Sequence, residues 1–331
     1  MHTQREVEKQ MKLFNGKIRL RLPANGAFYT IIIFVIFFSL RADNYLTFGN
    51  LINLLRQSTV FCIITGCLFL ALLTHQTDLS VGAIASLSSV MAALTLQHGY
   101  GAAAAIAVSL LTGVLMGVFN GILISRTNIA PFIITLGTMS IGESLGLIIT
   151  GGQTVTVTDP VILAISKYTL FGFLPICVLI MAVIYGVLWF VMKKRPFGTA
   201  LYAIGGNAEA ATASGINVPR HKFIIYVVNG IMAAVAGLIL IARIGTANPS
   251  QGIGLEFEGI CGAVLGGTAL SGGRGSIGSA FLGAFAIAIM KNGLNILGLK
   301  TGYQMVALGT IVIVILALDT VTNSVKGERN T

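Results

Sequence analysis

The sequence predicts an all-α polytopic membrane protein with about ten transmembrane helices. Its composition carries the first argument: 55% of the 331 residues are hydrophobic, only 10% are charged, and the mean hydropathy is +0.88. A soluble domain carries about 25% charged residues. This composition therefore argues against a soluble enzyme, a disordered scaffold and a nucleic-acid-binding protein. The second argument is that apolar segments recur along the whole chain.

Ten apolar segments are read as spans. They are Ala27–Leu40, Thr59–Leu73, Val81–Leu96, Ala102–Ser125, Pro131–Thr150, Leu174–Met192, Phe223–Ile244, Phe257–Leu270, Ile277–Leu294 and Tyr303–Leu318. A membrane-spanning helix needs about 20 residues. The first and last segments are short by that measure, and so are the second, third and eighth, which we expect to borrow polar flanking residues or to be broken helices buried in protein.

The chain divides into a membrane domain and two polar tails. The tails are residues 1–22 and 321–331, and the transmembrane domain covers 23–320. The long polar N-terminus lacks a small-residue cleavage site after the first apolar run, so that run is read as a retained span and not as a signal peptide. The four cysteines lie in apolar runs without metal-ligand spacing, which predicts buried side chains and no metal site.

The basic residues predict the orientation. The net charge is +10, with 21 Lys and Arg residues. If the chain has ten spans, 15 of these basic residues lie on the same side of the membrane as the termini and six lie on the opposite side. The six are Arg41, Arg56, Lys167, Arg243, Lys291 and Lys300. Cytoplasmic loops carry the excess of Lys and Arg. Both termini are therefore predicted to be cytoplasmic. The resemblance to a bacterial family implies that the membrane is a bacterial inner membrane.

A weak internal repeat appears at an offset of 172 residues. Gly82 falls on Gly254, Asn120-Gly121 falls on Asn292-Gly293, and a Leu-Gly-Thr run at 136–138 falls on one at 308–310. The offset moves span two onto span seven, which is a shift of five spans. Because five is odd, spans 2–5 and 7–10 would have opposite orientations in the membrane. Inverted repeats around a midplane pathway are a recurrent plan of transporters.

The longest predicted cytoplasmic connection, residues 193–222, contains a short helix. Asn207 is suited to cap a helix over Ala208–Ser214, with Gly205-Gly206 before it and Gly215 after it. Such a helix is able to dock into a groove on a soluble partner. A solvated loop with an incidental helical turn explains the same composition equally well.

Several polar residues lie within or beside apolar segments. Asp78 lies between two apolar runs, where a carboxylate is a functional candidate by default. The favoured interpretation is that Asp78 is the N-cap of span three and accepts a hydrogen bond from the backbone N–H of Ser80 or Val81, a role compatible with a functional one. Glu256 and Glu258, near the external end of span eight, are expected to be solvated at the interface. The candidates for a translocation path are Asp78, Ser80, Glu143, Asn120 and Asn292; for the two asparagines, interhelical hydrogen bonds are the plainer role.

No enzyme motif occurs in the secondary-structure context that its chemistry requires. No G-x-x-x-x-G-K-[ST] occurs, so the chain has no P-loop for ATP. The G-x-G-x-x-G at 273–278 joins two apolar helices and is rejected as a dinucleotide site. The G-x-S-x-G at 142–146 lies inside a span and lacks the strand-to-helix turn of a nucleophile elbow. No motif therefore supports an enzyme, and we expect no cofactor and no catalytic residue.

Long segments of the chain resemble a known family. TDLSVGAIASLSS, PFIITLGTMSIG, RPFGTALYAIGGNAEAATASGINV and AVLGGTALSGGRGSIGSAFLGA followed by NGLNILGL are similar to the permease subunit of bacterial ribose-type ABC importers, the branch that also serves xylose, arabinose and galactose. The resemblance runs from about Leu46 to Asp319. One departure is His75-Gln76-Thr77, where the family usually has Gly-Gly-Ile before the aspartate, which leaves the shape of this tight corner open.

The resemblance implies a set of partners. Such permeases act in pairs, with a second copy or a sister permease, beside a cytoplasmic ABC ATPase and a periplasmic sugar-binding protein that delivers the sugar. It favours docking for the 207–215 helix and implies an ATPase-coupling set of Arg195, Phe197, Gly198, Tyr202, Gly205, Gly206, Asn207, Ala210 and Gly215. The rival is a stand-alone secondary transporter coupled to H⁺ or Na⁺, with Asp78 and Glu143 as coupling sites.

Overall fold

The computed structural model describes residues 26–300, 302–311 and 313, and within them the chain is mostly helical. The predicted tails at 1–22 and 321–331 lie outside the described residues. The elements in chain order are α1 Gly26–Arg41, α2 Phe48–Leu73, α3 Val81–Gln97, α4 Ala102–Arg126, α5 Pro131–Thr150, β1 Val155–Thr156, α6 Pro160–Lys167, β2 Thr169–Leu170, β3 Leu174–Pro175, α7 Ile176–Lys194, α8 Pro196–Gly206, α9 Ala208–Ala213, α10 Val218–Ile244, β4 Thr246–Ala247, α11 Leu255–Leu265 and α12 Ile277–Ile296. Residues 302–311 are also helical.

Among the described residues, six helices are long and apolar enough to cross a membrane: α2, α4, α5, α7, α10 and α12. Helices α1 and α3 are apolar but shorter, and α11 has only 11 residues. The polytopic all-α class is thus confirmed, whereas the count of ten spans stays a prediction. The tenth predicted span, Tyr303–Leu318, is only partly within the described residues.

The second predicted span is longer than the sequence suggested. We expected Thr59–Leu73 to be short, but α2 begins at Phe48 and has 26 residues. Thr47 caps it by accepting a hydrogen bond from the backbone N–H of Asn50. Of the two expected explanations for the short apolar segment, borrowed polar flanking residues is confirmed, because polar residues such as Asn53 and Arg56 occupy the first turns of α2. The prediction that α3 and α11 are short is confirmed.

Helices α2 and α10 form the centre of the bundle and contact each other. Helix α10 packs along α4, and α2 packs along α12 and α11. Glycines allow the closest approach: Gly113 of α4 lies against the carbonyl of Gly230, and Gly117 lies against the carbonyl of Tyr226. A Cβ at either glycine would overlap those backbone atoms. The high glycine content therefore supports close helix packing, as the composition indicated.

The short helices α3 and α11 begin inside the bundle and their N-terminal ends meet. Gly82 of α3 lies against the carbonyl of Gly252 and the carboxylate of Glu256. The N–H of Gly252 donates to the Ser86 hydroxyl at 2.7 Å. The N-terminus of a helix carries a partial positive charge, so two such ends meeting inside an apolar bundle favour carboxylates close by. The corners that precede α3 and α11 are residues 74–80, corner A, and residues 245–254, corner B.

The two ends of the bundle differ in structure. Helices α8 and α9 lie at one end, which we term the α8 face, and α8 contacts the last residues of α2 there. At the other end, the α6 face, strand β1 pairs antiparallel with β4 of corner B, and β2 pairs with β3 in a small hairpin beside α6. Corner A is thus in contact with the α8 face and corner B with the α6 face.

Candidate functional site

A buried hydrogen-bond network holds corner A inside the bundle. Asp78 Oδ1 accepts from the backbone N–H and the hydroxyl of Ser80, at 3.1 and 2.6 Å. Its Oδ2 accepts from Asn229 Nδ2 of α10 at 3.0 Å. Asn120 Nδ2 of α4 donates to the Ser80 hydroxyl at 2.8 Å. All four side chains are buried, so this network fixes the start of α3 against α4 and α10.

The network confirms one expectation for Asp78 and adds a residue. The predicted hydrogen bond from the backbone N–H of Ser80 to Asp78 is present. Ser80 itself is the N-cap position of α3 and makes no side-chain cap. Asn229 was missed by sequence reasoning. The sequence does show a single amide side chain in the middle of the long apolar segment of α10, and a polar side chain in such a segment needs a hydrogen-bond partner.

Asn292 lies apart from this network. Its amide exchanges two hydrogen bonds with the amide of Asn50, at 3.0 and 3.1 Å, and joins α12 to α2. Asn120 likewise joins α4 to the start of α3. The plainer role predicted for both asparagines, interhelical hydrogen bonding, is therefore confirmed.

Two glutamates of α11 are buried, which corrects the expected solvated position. Glu256 is buried at the first turn of α11, where Oε1 accepts from the backbone N–H of Gly254 at 3.1 Å. Glu258 forms an ion pair with Lys291 of α12, whose ammonium also lies 4.8 Å from the centroid of the Phe61 ring. The expectation failed because the partner of Glu258 lies 33 residues later in the chain. Charged residues at both positions inside apolar segments were the available signal.

Glu143 occupies a different environment from Asp78. It lies half-buried on α5, a helix that packs mainly against α3 and α4 and touches Pro249 of corner B at Gly146. The neighbouring Ser140 and Ser144 are exposed on the open side of α5. Gly142, between them, lies against Ala83 of α3. The predicted path candidates thus form one buried group, Asp78, Ser80 and Asn120, with Glu143 and Asn292 each elsewhere.

The short helix predicted after Asn207 is present as α9. The side chain of Asn207 accepts from the backbone N–H of Ala210 at 2.9 Å. After α9, the N–H of Ile216 returns to the carbonyl of Ala211 at 3.0 Å across Gly215, whose φ is +85°. A left-handed residue at this position ends a helix with little strain only when it is glycine. Most of the segment from Gly206 to Gly215 is exposed.

Helix α8 connects α9 to the bundle through backbone contacts. A Cβ at Gly205 would overlap the carbonyl of Leu73 and the backbone of Gly273, and the N–H of Gly273 donates to the same carbonyl at 2.8 Å. Tyr202 donates its hydroxyl to the carbonyl of Gly275 at 2.9 Å. Burial raises the pKa of Tyr202, which keeps the donating proton in place at neutral pH. The exposed helix α9 is thereby linked through α8 to corner A and to the loop between α11 and α12.

The start of α8 is held by close contacts of a different kind. Gly198 lies against the backbone of Met192 at the end of α7, where a Cβ would overlap. The ring of Phe197 stacks on His221 of α10 with centroids 5.2 Å apart. The guanidinium of Arg195 lies 5.0 Å from the centroid of the Phe190 ring. The residues of the predicted coupling set thus fall on one continuous piece of the α8 face.

Comparison with known proteins places the chain in a family. Residues 50–316 match the family model described as the permease component of the branched-chain amino acid transport system. The chain belongs to this permease family. As a permease, it is a transport subunit and not an enzyme, and the resemblance seen in its segments is confirmed.

Curated relatives of the permease cover nearly its whole length. It is 38% identical over 326 residues to the ribose import permease protein RbsC of Bacillus subtilis, covering 96% of this chain and 97% of the relative. It is 36% identical over 296 residues to the D-allose transport system permease protein AlsC of Escherichia coli, covering 89% and 90%. It is 37% identical over 289 residues to a protein of Escherichia coli named "Probable ABC transporter permease protein YphD", covering 87% of each. No solved structure matches the chain.

Proposed function

We propose that this permease forms the translocation path of an ABC importer for a monosaccharide in the bacterial inner membrane, with both termini in the cytoplasm. The observation that carries the proposal is the permease family match together with a capped, exposed helix and no P-loop in the whole chain. An ABC permease without a nucleotide site of its own would take its energy from a separate ATPase. Relatives named for ribose and allose support a sugar as the cargo.

The α8 face is the proposed ATPase contact. Helix α9 presents exposed residues on a short capped helix, which suits a groove on a soluble partner. Its displacement reaches the bundle through Gly205, which touches the end of α2 and the 266–276 loop without intervening side chains. Backbone contacts of this kind transmit a rigid-body shift, because packed interfaces do not deform continuously. The permease needs only two arrangements whose populations the ATPase biases.

An inverted repeat supports alternating access in this permease. Moving α2 by the 172-residue offset gives 220–245, close to α10 at 218–244. The same shift carries α4 to 274–298, close to α12 at 277–296. The packing follows the same relation, because α10 packs on α3 and α4 while α2 packs on α11 and α12. The meeting of α3 and α11 at their N-terminal ends supports a pseudo-twofold relation near Gly82 and Gly252.

The path itself is proposed to follow the open side of α5. A charged side chain at the centre of the bilayer costs about 2.5–3.5 kcal/mol, so Glu143, Ser140 and Ser144 are better placed against water or protein than against lipid. A second permease facing this side of α5 would enclose the path between two chains. Asp78, Ser80 and Asn120 are buried, which supports a role in positioning corner A and not in direct contact with the solute.

The energy source distinguishes this proposal from a stand-alone ion-coupled transporter. The experiment is uptake of labelled ribose and allose by cells that carry the chain, with the companion ATPase either intact or inactivated by mutation. We expect uptake to stop when the ATPase is inactive and to survive an ionophore at constant ATP. Uptake that persists without the ATPase, or uphill transport by the purified chain alone on an ion gradient, would refute the proposal.

A further inference from the structure

A basic cavity lies on the α8 face between the end of α7, the start of α8 and the start of α10. It measures about 880 Å³, and cationic side chains surround it: Lys193, Lys194, Arg195 and Arg220, with His221. No aspartate or glutamate lines it. Within the residues that the structure describes, the ion pair is that of Lys291 with Glu258, so these four cations have no carboxylate partner. The cavity is therefore a site of uncompensated positive charge.

The cavity opens at the level where a lipid headgroup would lie. Helix α7 exposes Trp189 and Phe190 one turn before its end. The ammonium of Lys193 lies 6.0 Å from the Trp189 ring, and the guanidinium of Arg195 lies 5.0 Å from the Phe190 ring. Aromatic side chains followed by cations mark the boundary between hydrocarbon and water. Part of the cavity lining is apolar and includes Ile216 and Ile224, as an acyl chain requires.

We propose that this cavity binds the phosphate headgroup of an anionic phospholipid such as phosphatidylglycerol. The inference rests on the proposed function in one respect, the placement of the α8 face at the cytoplasmic leaflet. Basic cavities between helices on that side hold anionic headgroups, and each Lys or Arg near the surface contributes about fivefold in affinity. The bound lipid joins the end of α7 to the start of α10 on either side of α8. The lipid thereby supports the segment that the ATPase contact uses.

The chain contains its own reporter for this site, because Trp189 is its single tryptophan. The purified full chain is reconstituted in phosphatidylcholine vesicles that contain a small fraction of brominated phosphatidylglycerol, and quenching of Trp189 fluorescence is measured. We expect quenching several-fold above that given by the same fraction of brominated phosphatidylcholine. Equal quenching by the two brominated lipids would overturn the proposal.

Matched variants separate the cavity from general surface charge. Lys194→Gln with Arg220→Gln removes two charges from the cavity and spares the residues beside the aromatic rings. At about fivefold in affinity for each charge, this double variant should lower quenching by the brominated phosphatidylglycerol to near the level given by brominated phosphatidylcholine. Arg126→Gln removes one charge from an exposed residue at the end of α4, outside the cavity, and should leave the enrichment unchanged. Equal losses in the double variant and in Arg126→Gln would refute a specific site.

Two further measurements distinguish a bound phospholipid from a free anion and from the ATPase as the occupant of the cavity. Inorganic phosphate at about 10 mM should not reverse the quenching, since the acyl chains contribute to lipid binding; full reversal would assign the cavity to a free anion. Native mass spectrometry of the permease copurified with its partners should retain phosphatidylglycerol. Its loss whenever the ATPase is present would assign the cavity to that protein. Uptake measured in parallel keeps the two proposals separate, because a chain that imports sugar without lipid enrichment fails only this one.

Discussion

Corners A and B occupy equivalent places in the proposed repeat, yet they connect to opposite faces of the molecule. Corner A contacts α8 through Leu73 and Gly205, and a carboxylate with three donors holds it internally. Corner B pairs with strand β1 and is held to α3 by hydrogen bonds from Gln251 and Gly252 to serine hydroxyls. The difference indicates that one structural unit serves two purposes. Corner A lies against α8 on the proposed ATPase side, and corner B pairs with strand β1 on the other side.

The largest effect is expected where corner A touches α8. Gly205→Val would place a side chain into the carbonyl of Leu73 and the backbone of Gly273, so α8 has to move away. Overpacking of this kind costs about 1–3 kcal/mol or more, so ATP-driven sugar uptake should fall at least about tenfold. The measurements are uptake by cells and thermal melting of the purified chain. Membrane insertion should be retained, because the apolar spans are unchanged.

Gly206→Val is the matched control for this contact. A Cβ at Gly206 has open space around it, so the melting temperature should stay at the wild-type value while uptake falls through the lost ATPase contact alone. A bulky replacement of Asn207 should also lower uptake, with a loss of about 1 kcal/mol of stability because it removes the cap of α9. Wild-type uptake by Gly206→Val would remove the docking role from this segment. Equal destabilisation by the two glycine variants would contradict the contact described for Gly205.

The second-largest effect is expected at α11, the helix that follows corner B. Lys291→Met leaves Glu258 buried without its ion-pair partner, which should destabilise the chain by about 3 kcal/mol. The 172-residue offset relates these two residues to Phe119 and Ser86, which carry no charge. We therefore expect the ion pair to be a property of the second half alone. The measurement is thermal melting in detergent.

A double variant tests whether the loss comes from the unpaired charge. Glu258→Leu with Lys291→Met replaces both partners by apolar side chains, and such replacements of buried pairs are often neutral. The double variant should melt close to the wild type. A double variant less stable than Lys291→Met alone would show that Glu258 has another essential partner.

A smaller effect is expected from Asp78→Asn. The substitution keeps the size of the side chain but replaces one acceptor oxygen by a donor amide, which faces Asn229 Nδ2 or the Ser80 donors. Loss of charge-assisted hydrogen bonds in a buried site costs about 1.5–3 kcal/mol. Asp159→Asn is the control, since Asp159 caps α6 and asparagine caps a helix equally well. A similar stability loss in both variants would contradict the special role of corner A.

Local features of both regions were readable from the sequence, and long-range partners were not. Asn207, Gly215 and the α9 helix between them follow from capping rules that involve neighbouring residues only. The burial of Glu258 depends on Lys291, 33 residues away, and the first turns of α2 were hidden by their polar residues. The hydrogen bond from Asn229 to Asp78 spans 151 residues. Pairing over such separations is set by the packing of the helices, which hydropathy and spacing do not specify.

The smallest effect concerns the departure at corner A, where His75 takes the place of a family glycine. His75 has φ of +57°, a left-handed conformation that costs a non-glycine residue about 1–2 kcal/mol. Its side chain is exposed. His75→Gly relieves that strain but increases the entropy of the unfolded chain by about 0.5–1 kcal/mol. We expect a net gain in stability of about 0.5–1 kcal/mol, measured by thermal melting.

His98→Gly makes the same chemical change at a residue with ordinary backbone, with φ of −78°. There the glycine relieves no strain, adds unfolded-state entropy and removes the hydrogen bond between the His98 ring and the Leu94 carbonyl at 2.8 Å, so this variant should be less stable than the wild type. Opposite signs for the two histidines would show that corner A keeps its tight turn despite the bulkier residue, at a cost in stability. If both variants lose stability, the left-handed turn at His75 is not a source of strain, and corner A differs in shape from the one that a glycine would form.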